Sequence, residues 1–167
     1  MFSCIQDFQT IWKNETEATL KLFRVLTDAS LNQSVAPQDR NLGRIAWHIA
    51  TTIPEMMTQT GLRFSELDPH ASVPSSAAAI AEAYEKVAAA LVDRVTAEWT
   101  DATLSSTDTL YGETWARGFT LAVLIHHQIH HRGQMTVLMR QAGLRVPGIY
   151  GPAREEWAGY GMPEPVV

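Results

Sequence analysis

Helical periodicity limits what this chain of 167 residues can fold into, because apolar side chains recur at three- and four-residue steps in four long segments. The segments cover residues 5–29, 42–60, 76–98 and 114–142. Asn41 and Ser75 or Ser76 are suited to cap the second and third segments, and Gly61 to end the second. Residues 100–111 alternate too weakly to predict more than a connection with a strand-like piece. We therefore expect an all-α four-helix bundle with long connections.

Pro54 lies inside the second segment, where it removes a backbone donor, so we expect a kink or a short break there. Residues 143–167 are rich in Gly and Pro, and we expect a coil-rich tail with one helical turn. The length fits a single domain over residues 1–167, with the tail packing on the bundle.

Composition excludes several classes of protein. A net charge of −5 argues against nucleic-acid binding, which needs a basic surface. The lone Cys4 excludes a disulfide framework. No apolar run approaches the roughly 20 residues of a membrane span, and the first residues do not resemble a signal peptide. We expect a cytoplasmic protein that contacts neither nucleic acid nor membrane.

Four of the six histidines occur within six residues of the last helical segment. A helix brings residues four apart to about 5–6 Å at Cβ, so His126/His130 and His127/His131 form two possible metal-binding pairs. At about 100° per residue, His127 and His131 share the stripe that holds Leu138. His126 and His130 lie at its flank, so we expect His127 and His131 to face inward as ligands.

The same projection places three residues on the outer face of this helix. Ile125 and Ile129 would be available there for a subunit contact. Arg132 would lie at the surface or in a dimer interface.

A third ligand is needed, because zinc sites use three or four protein ligands. His48 lies at the border of the apolar stripe of the second segment, with Thr52 and Glu55 on its side. Three neutral imidazoles with an open coordination position are typical of a catalytic site.

Three parts of the sequence resemble the DinB (DinB/YfiT-like) superfamily. They are HQIHHRGQ at residues 127–134, LGRIAWHI at residues 42–49 and the tail. In the tail, VPGIYGP at 146–152 is followed by EEW at 155–157 and GYGM at 159–162. The resemblance covers nearly the whole chain in the order and length of its elements.

This resemblance implies a four-helix bundle that is often a homodimer. It also implies a divalent metal, zinc or nickel, held by three histidines that correspond here to His48, His127 and His131. Some relatives are transferases or isomerases that depend on a low-molecular-weight thiol.

Our leading hypothesis is a metal-dependent transferase that activates a low-molecular-weight thiol toward a small-molecule substrate. The alternatives are a metal-dependent hydrolase with water as nucleophile, or a non-catalytic, stress-associated metal-binding or dimerisation protein. Two further residues are weak catalytic candidates. Glu55 lies two turns after His48 and is placed to orient a ligand or accept a proton, and Tyr150 lies on the tail, from which it can fold over the mouth of the site.

Overall fold

A computed structural model describes residues 1–166 and confirms the helical bundle. Its four long helices are α1 (Ile5–Phe23), α2 (Leu42–Met57), α3 (Ala77–Glu98) and α4 (Arg117–Gln141). Short 3-10 turns cover Ala29–Asn32, Thr58–Thr60, Asp101–Ser105 and Arg154–Tyr160. None of the helices in this described part is long and apolar enough to cross a bilayer.

The predicted helix ends follow from local hydrogen bonds. Asn41 Oδ1 accepts from the backbone N–H of Arg44 at 2.8 Å, and Ser76 Oγ accepts from that of Ala79 at 3.3 Å. Both helix starts are therefore capped by side chains, as expected. Gly61 ends the second segment with a φ of 90°, a conformation that glycine adopts without strain.

The packing order places α2 beside α4. Helix α2 packs on both α3 and α4, and α1 packs on the same two helices. Helices α1 and α2 therefore occupy opposite corners of the bundle, which the long connections permit. The core between them is apolar and aromatic, and its largest fully buried side chains include Trp12, Tyr84, Phe8, Phe23, Leu42 and Ile53.

The connection before α4 contains the strand-like piece expected there and a second strand paired with it. Strands β1 (Thr107–Leu110) and β2 (Glu113–Ala116) form an antiparallel hairpin, so α4 begins at Arg117 instead of residue 114. The two turn residues, Tyr111 and Gly112, have φ values of 54° and 83°. Positive φ at both positions is the requirement of a two-residue turn that matches strand twist. A tyrosine at the first position hides this turn, because Asn and Gly are its usual signal.

One further boundary differs from expectation. Helix α1 ends at Phe23, and the chain then turns before the short helix Ala29–Asn32. No break precedes Pro54, and α2 runs through it from Leu42 to Met57.

The rotation of α4 about its axis also differs from the projection. The fully buried Gln128 lies near the centre of the buried face, and His127 lies at its edge. Ile125 and Arg132, which were expected to face outward, are only 5% and 3% exposed. Ile129 is partly buried and packs against the core. The projection failed because the interior of the bundle accepts polar residues of α4 that a hydrophobicity pattern assigns to the surface.

Candidate metal centre

Three histidine side chains from two helices meet between α2 and α4. The Nε2 atom of His127 lies 3.1 Å from Nε2 of His48 and 3.0 Å from Nε2 of His131. One donor nitrogen from each of the three lies within 4.8 Å of the others. His131 is buried, whereas His48 and His127 are partly buried. The structure thus brings together the three histidines that sequence reasoning selected, and they could hold a metal ion.

Thr52 sets the proton position on His48. Its hydroxyl donates to the backbone carbonyl of His48 at 2.7 Å, one helical turn earlier. Its oxygen lies 3.3 Å from Nδ1 of the same histidine. Because the single hydroxyl hydrogen is already used, the oxygen accepts from Nδ1–H. The lone pair of His48 Nε2 is then free and faces the centre.

Gln134 does the same for His131. Its Oε1 lies 2.7 Å from His131 Nδ1, and its Nε2 lies 3.1 Å from Nε2 of the exposed His130. An amide nitrogen only donates, so His130 accepts and the amide oxygen faces His131. The oxygen then accepts from Nδ1–H, which leaves the Nε2 lone pair of His131 pointing inward.

The surroundings keep the three imidazoles neutral. Burial, followed by the charge of Arg40, lowers the pKa of His48 to about 4. Burial and the neighbouring His131 and His48 lower the pKa of His127 to about 3. The pKa of His131 is also lowered, mainly by burial. At neutral pH all three rings are uncharged, which is the form that binds metal.

This donor set fits a divalent cation. With the lone pairs of His48 and His131 already directed inward, His127 can donate an Nε2 proton to only one of them. The other contact, at 3.0–3.1 Å, then sets the lone pair of a second histidine against a nitrogen that has no further hydrogen to donate, unless a cation lies between the rings. Ligands bound tetrahedrally to zinc at about 2.0–2.1 Å lie about 3.3–3.4 Å apart, close to the spacing here. Three imidazoles suit zinc and nickel alike.

A cleft of about 560 Å³ opens beside His131. It lies between the N-terminal end of α2 and the C-terminal half of α4. Its lining residues are Val35, Asp39, Arg40, Ile45, His131, Gln134, Val137 and Leu138. A small molecule in this cleft would touch the imidazole of His131.

The two weak catalytic candidates have other partners. Glu55 accepts hydrogen bonds from the hydroxyl of Tyr111 at 2.7 Å and from the side chain of Gln59 at 3.3 Å. The hydroxyl of Tyr150 donates to Glu15 Oε2 at 2.6 Å and also contacts Arg132. Within residues 1–166 neither forms a hydrogen bond with the three histidines, and their catalytic roles stay predictions.

A buried polar cluster, which we call the Arg132 cluster, lies next to the centre on the other side of α4. Arg132 pairs with Glu15 of α1 and donates to Thr19 Oγ1 at 3.0 Å. Tyr150 joins this ion pair from the tail. Sequence reasoning missed this cluster, because Glu15 and Arg132 lie 117 positions apart and carry no motif.

Sequence reasoning also did not select Gln134 and Arg40 as part of the site. Gln134 could have been found, because it lies three residues after His131 and therefore on the same face of the helix. Arg40 precedes α2 in a loop and has no periodic relation to any histidine.

Comparisons with known proteins agree with this fold. The sequence profile of the DinB family matches residues 1–165. Uncharacterized protein YrdA of Bacillus subtilis (strain 168) is 47% identical over 165 residues, which is 99% of each chain. A DinB-like protein from Bacillus cereus ATCC 10987, of known crystal structure, is 48% identical with a TM-score of 0.85, covering 90% of this chain and all of the other. The DinB-like protein YjoA of Bacillus subtilis shares the fold at 16% identity and a TM-score of 0.68, covering 86% of this chain and 96% of YjoA. This protein belongs to the DinB family.

Proposed function

We propose that this protein is a divalent-metal-dependent transferase that activates a low-molecular-weight thiol, with His48, His127 and His131 as ligands of zinc or nickel. The observation that supports the proposal most is the convergence of the three histidines beside an open cleft, with His127 Nε2 3.1 Å from that of His48 and 3.0 Å from that of His131. A structural metal site is closed by four protein ligands, whereas three ligands leave a position for a substrate.

The residues around the centre would prepare it for that role. Thr52 and Gln134 hold the rings of His48 and His131 in the tautomer whose Nε2 can bind a cation. A bound divalent cation lowers the pKa of a coordinated thiol, so that thiolate is available at neutral pH. The apolar side chains of Val137 and Leu138 line the cleft beside the centre.

Metal content tests the first part of the proposal. Protein purified without an affinity tag is expected to carry about one equivalent of metal, measured by inductively coupled plasma mass spectrometry. His131→Ala should lose it, whereas His126→Ala, an exposed histidine on the same helix, should retain it. Absence of stoichiometric metal even after reloading would contradict the proposal.

Turnover tests the second part. Metal-loaded protein is incubated with an electrophile such as 1-chloro-2,4-dinitrobenzene, with and without a panel of thiols. Thioether formation that requires both the thiol and His131 would support the transferase. Hydrolysis of ester substrates without thiol would favour the metal-dependent hydrolase, and no turnover with either panel would favour a non-catalytic metal-binding protein.

We also propose a homodimer, as the resemblance implies. Light scattering coupled to gel filtration should give twice the chain mass of 18.5 kDa. A single-chain mass at micromolar concentration would contradict this.

A further inference from the structure

The cleft beside His131 combines an apolar wall with one cationic side chain. Val137 and Leu138 of α4 face Val35 and Ile45 across it. Val137 is 54% exposed, so its side chain is accessible to a small molecule in the cleft. The wall can therefore contact the hydrocarbon part of such a ligand.

Arg40 provides the charge. It is exposed, and within residues 1–166 its guanidinium forms no salt bridge, as is also true of Arg44, Arg63 and Arg145. Asp39 also lines the cleft but does not pair with its neighbour. Arg40 thus presents unpaired donors to the cleft, and a guanidinium matches a carboxylate through two parallel hydrogen bonds.

Arg40 also lies near the candidate metal centre. Its positive charge is the largest cause after burial of the lowered pKa of His48, and it contributes less to the lowered pKa of His127 and His131. The cationic group, the apolar wall and the imidazole of His131 consequently border one continuous space.

We propose that this cleft selects a carboxylate-bearing thiol: Arg40 binds the carboxylate, the hydrocarbon part lies on Val137 and Leu138, and the sulfur is directed toward His131. This inference rests on the proposed function, because the thiol is the substrate proposed there. It adds the substrate class and names Arg40 as the residue that determines specificity.

The probes are 6-mercaptohexanoate and its methyl ester, which differ in charge but share the hydrocarbon chain and the thiol. Binding is followed in zinc-loaded protein by the methyl NMR signals of Val137 and Leu138. In cobalt-loaded protein the thiolate-to-metal absorption band is recorded separately. Arg40→Ala is compared with Arg63→Ala, which removes the same charge at an exposed position outside the cleft.

We expect the carboxylate to bind about tenfold more tightly than the ester in the wild type and in Arg63→Ala. In Arg40→Ala the two affinities should become equal, and Arg40→Lys should restore part of the difference. Equal affinities in the wild type, an unchanged preference in Arg40→Ala, or unmoved methyl signals would overturn the inference.

The two readouts separate this inference from the proposed function. If the methyl signals show the Arg40-dependent preference but no thiolate band appears, the carboxylate site stands and thiol activation fails. If the band appears equally with acid and ester in every variant, thiol activation stands and the role of Arg40 is overturned.

Discussion

At the scale of single residues, proton placement decides whether the histidines can act as ligands. Each imidazole has two nitrogens, and a hydrogen bond to one of them determines which lone pair the other presents. Thr52 and Gln134 make this choice for His48 and His131 from within the same helices, one turn away. His127 Nδ1 is buried and has no partner within residues 1–166, so its orientation depends on packing alone.

Thr52→Val tests this control of the tautomer. The variant keeps the shape of the side chain but removes the acceptor for His48 Nδ1–H, so we expect metal affinity to fall by about 10–100-fold. Thr51→Val is the matched control, because the Thr51 hydroxyl donates to the carbonyl of Trp47 at 3.0 Å and does not contact the ring of His48. Competition with a chromophoric chelator measures both. Equal loss of affinity in the two variants would show that only helix stability was affected.

At the scale of elements, the Arg132 cluster ties α4 to α1 and to the tail. Glu15 and Arg132 are 8% and 3% exposed, and a buried ion pair stabilises a fold only while both partners are present. Arg132 follows His131 directly in the sequence. The Glu15–Arg132 ion pair therefore also fixes the rotation of α4 that directs the histidines toward α2.

Removing one partner should therefore be costly. We expect Glu15→Ala to lower the free energy of unfolding by about 3–5 kcal/mol, because it leaves the Arg132 charge buried and unpaired. Glu17→Ala on the same helix breaks the exposed Glu17–Arg24 pair, and it should cost at most about 1 kcal/mol. Urea denaturation measures both. Similar losses would mean that Arg132 finds water or another partner when Glu15 is absent.

Two glycines of α4 should respond in opposite directions to the same substitution. A Cβ at Gly118 would collide with the backbone carbonyl of Phe2, so Gly118→Ala should destabilise the fold by about 1–3 kcal/mol. A Cβ at Gly133 meets nothing within 4 Å. Gly133→Ala should therefore stabilise the fold by about 0.5–1 kcal/mol, because alanine lowers the conformational entropy of the unfolded chain. Thermal unfolding compares them. A stabilising Gly118→Ala would mean that the N-terminal residues do not pack on α4 as described.

At the scale of the whole molecule, the order of packing creates the centre. Helices α2 and α4 are neighbours because the long connections place α1 and α2 at opposite corners. The packing thereby gathers His48, His127 and His131 in one partly buried place that favours their neutral form. The stability of the protein should therefore depend on pH.

The metal-free protein should lose stability as the pH falls below about 6.5. The unfolded chain takes up protons on its histidines near pH 6.5, whereas in the folded chain the pKa of His48 is lowered to about 4 and that of His127 to about 3. Between these values the unfolded state binds more protons, so stability rises with pH, on the order of 1 kcal/mol per pH unit for each histidine.

Chemical denaturation between pH 7 and pH 5 measures this slope. His127→Ala should flatten it, and His126→Ala should leave it unchanged, because that side chain is exposed. A slope that is identical in the two variants would assign the acid sensitivity to groups other than the centre.

The four helices and the capped starts of α2 and α3 could be predicted from the sequence, because the forces that set them act within a few residues. Asn41 and Ser76 cap their helices through hydrogen bonds to the N–H groups of Arg44 and Ala79, three positions away. His127 and His131 are one turn apart whatever surrounds them. The three candidate ligands could be predicted for the same reason, because His48 lies at the border of the apolar stripe of α2.

The tertiary structure alone decided the rest. The rotation of α4 and the burial of Arg132 depend on partners far away in the chain, whereas the local hairpin was missed because Tyr111 stands where Asn or Gly is the usual signal. Glu15 lies 117 positions from Arg132, and no local pattern reports a contact of that kind. A hydrophobicity pattern treats a charged residue as exposed, whereas a bundle can bury it when an opposite charge meets it. Sequence therefore determined which elements form and which histidines share a face, and packing determined what those faces meet.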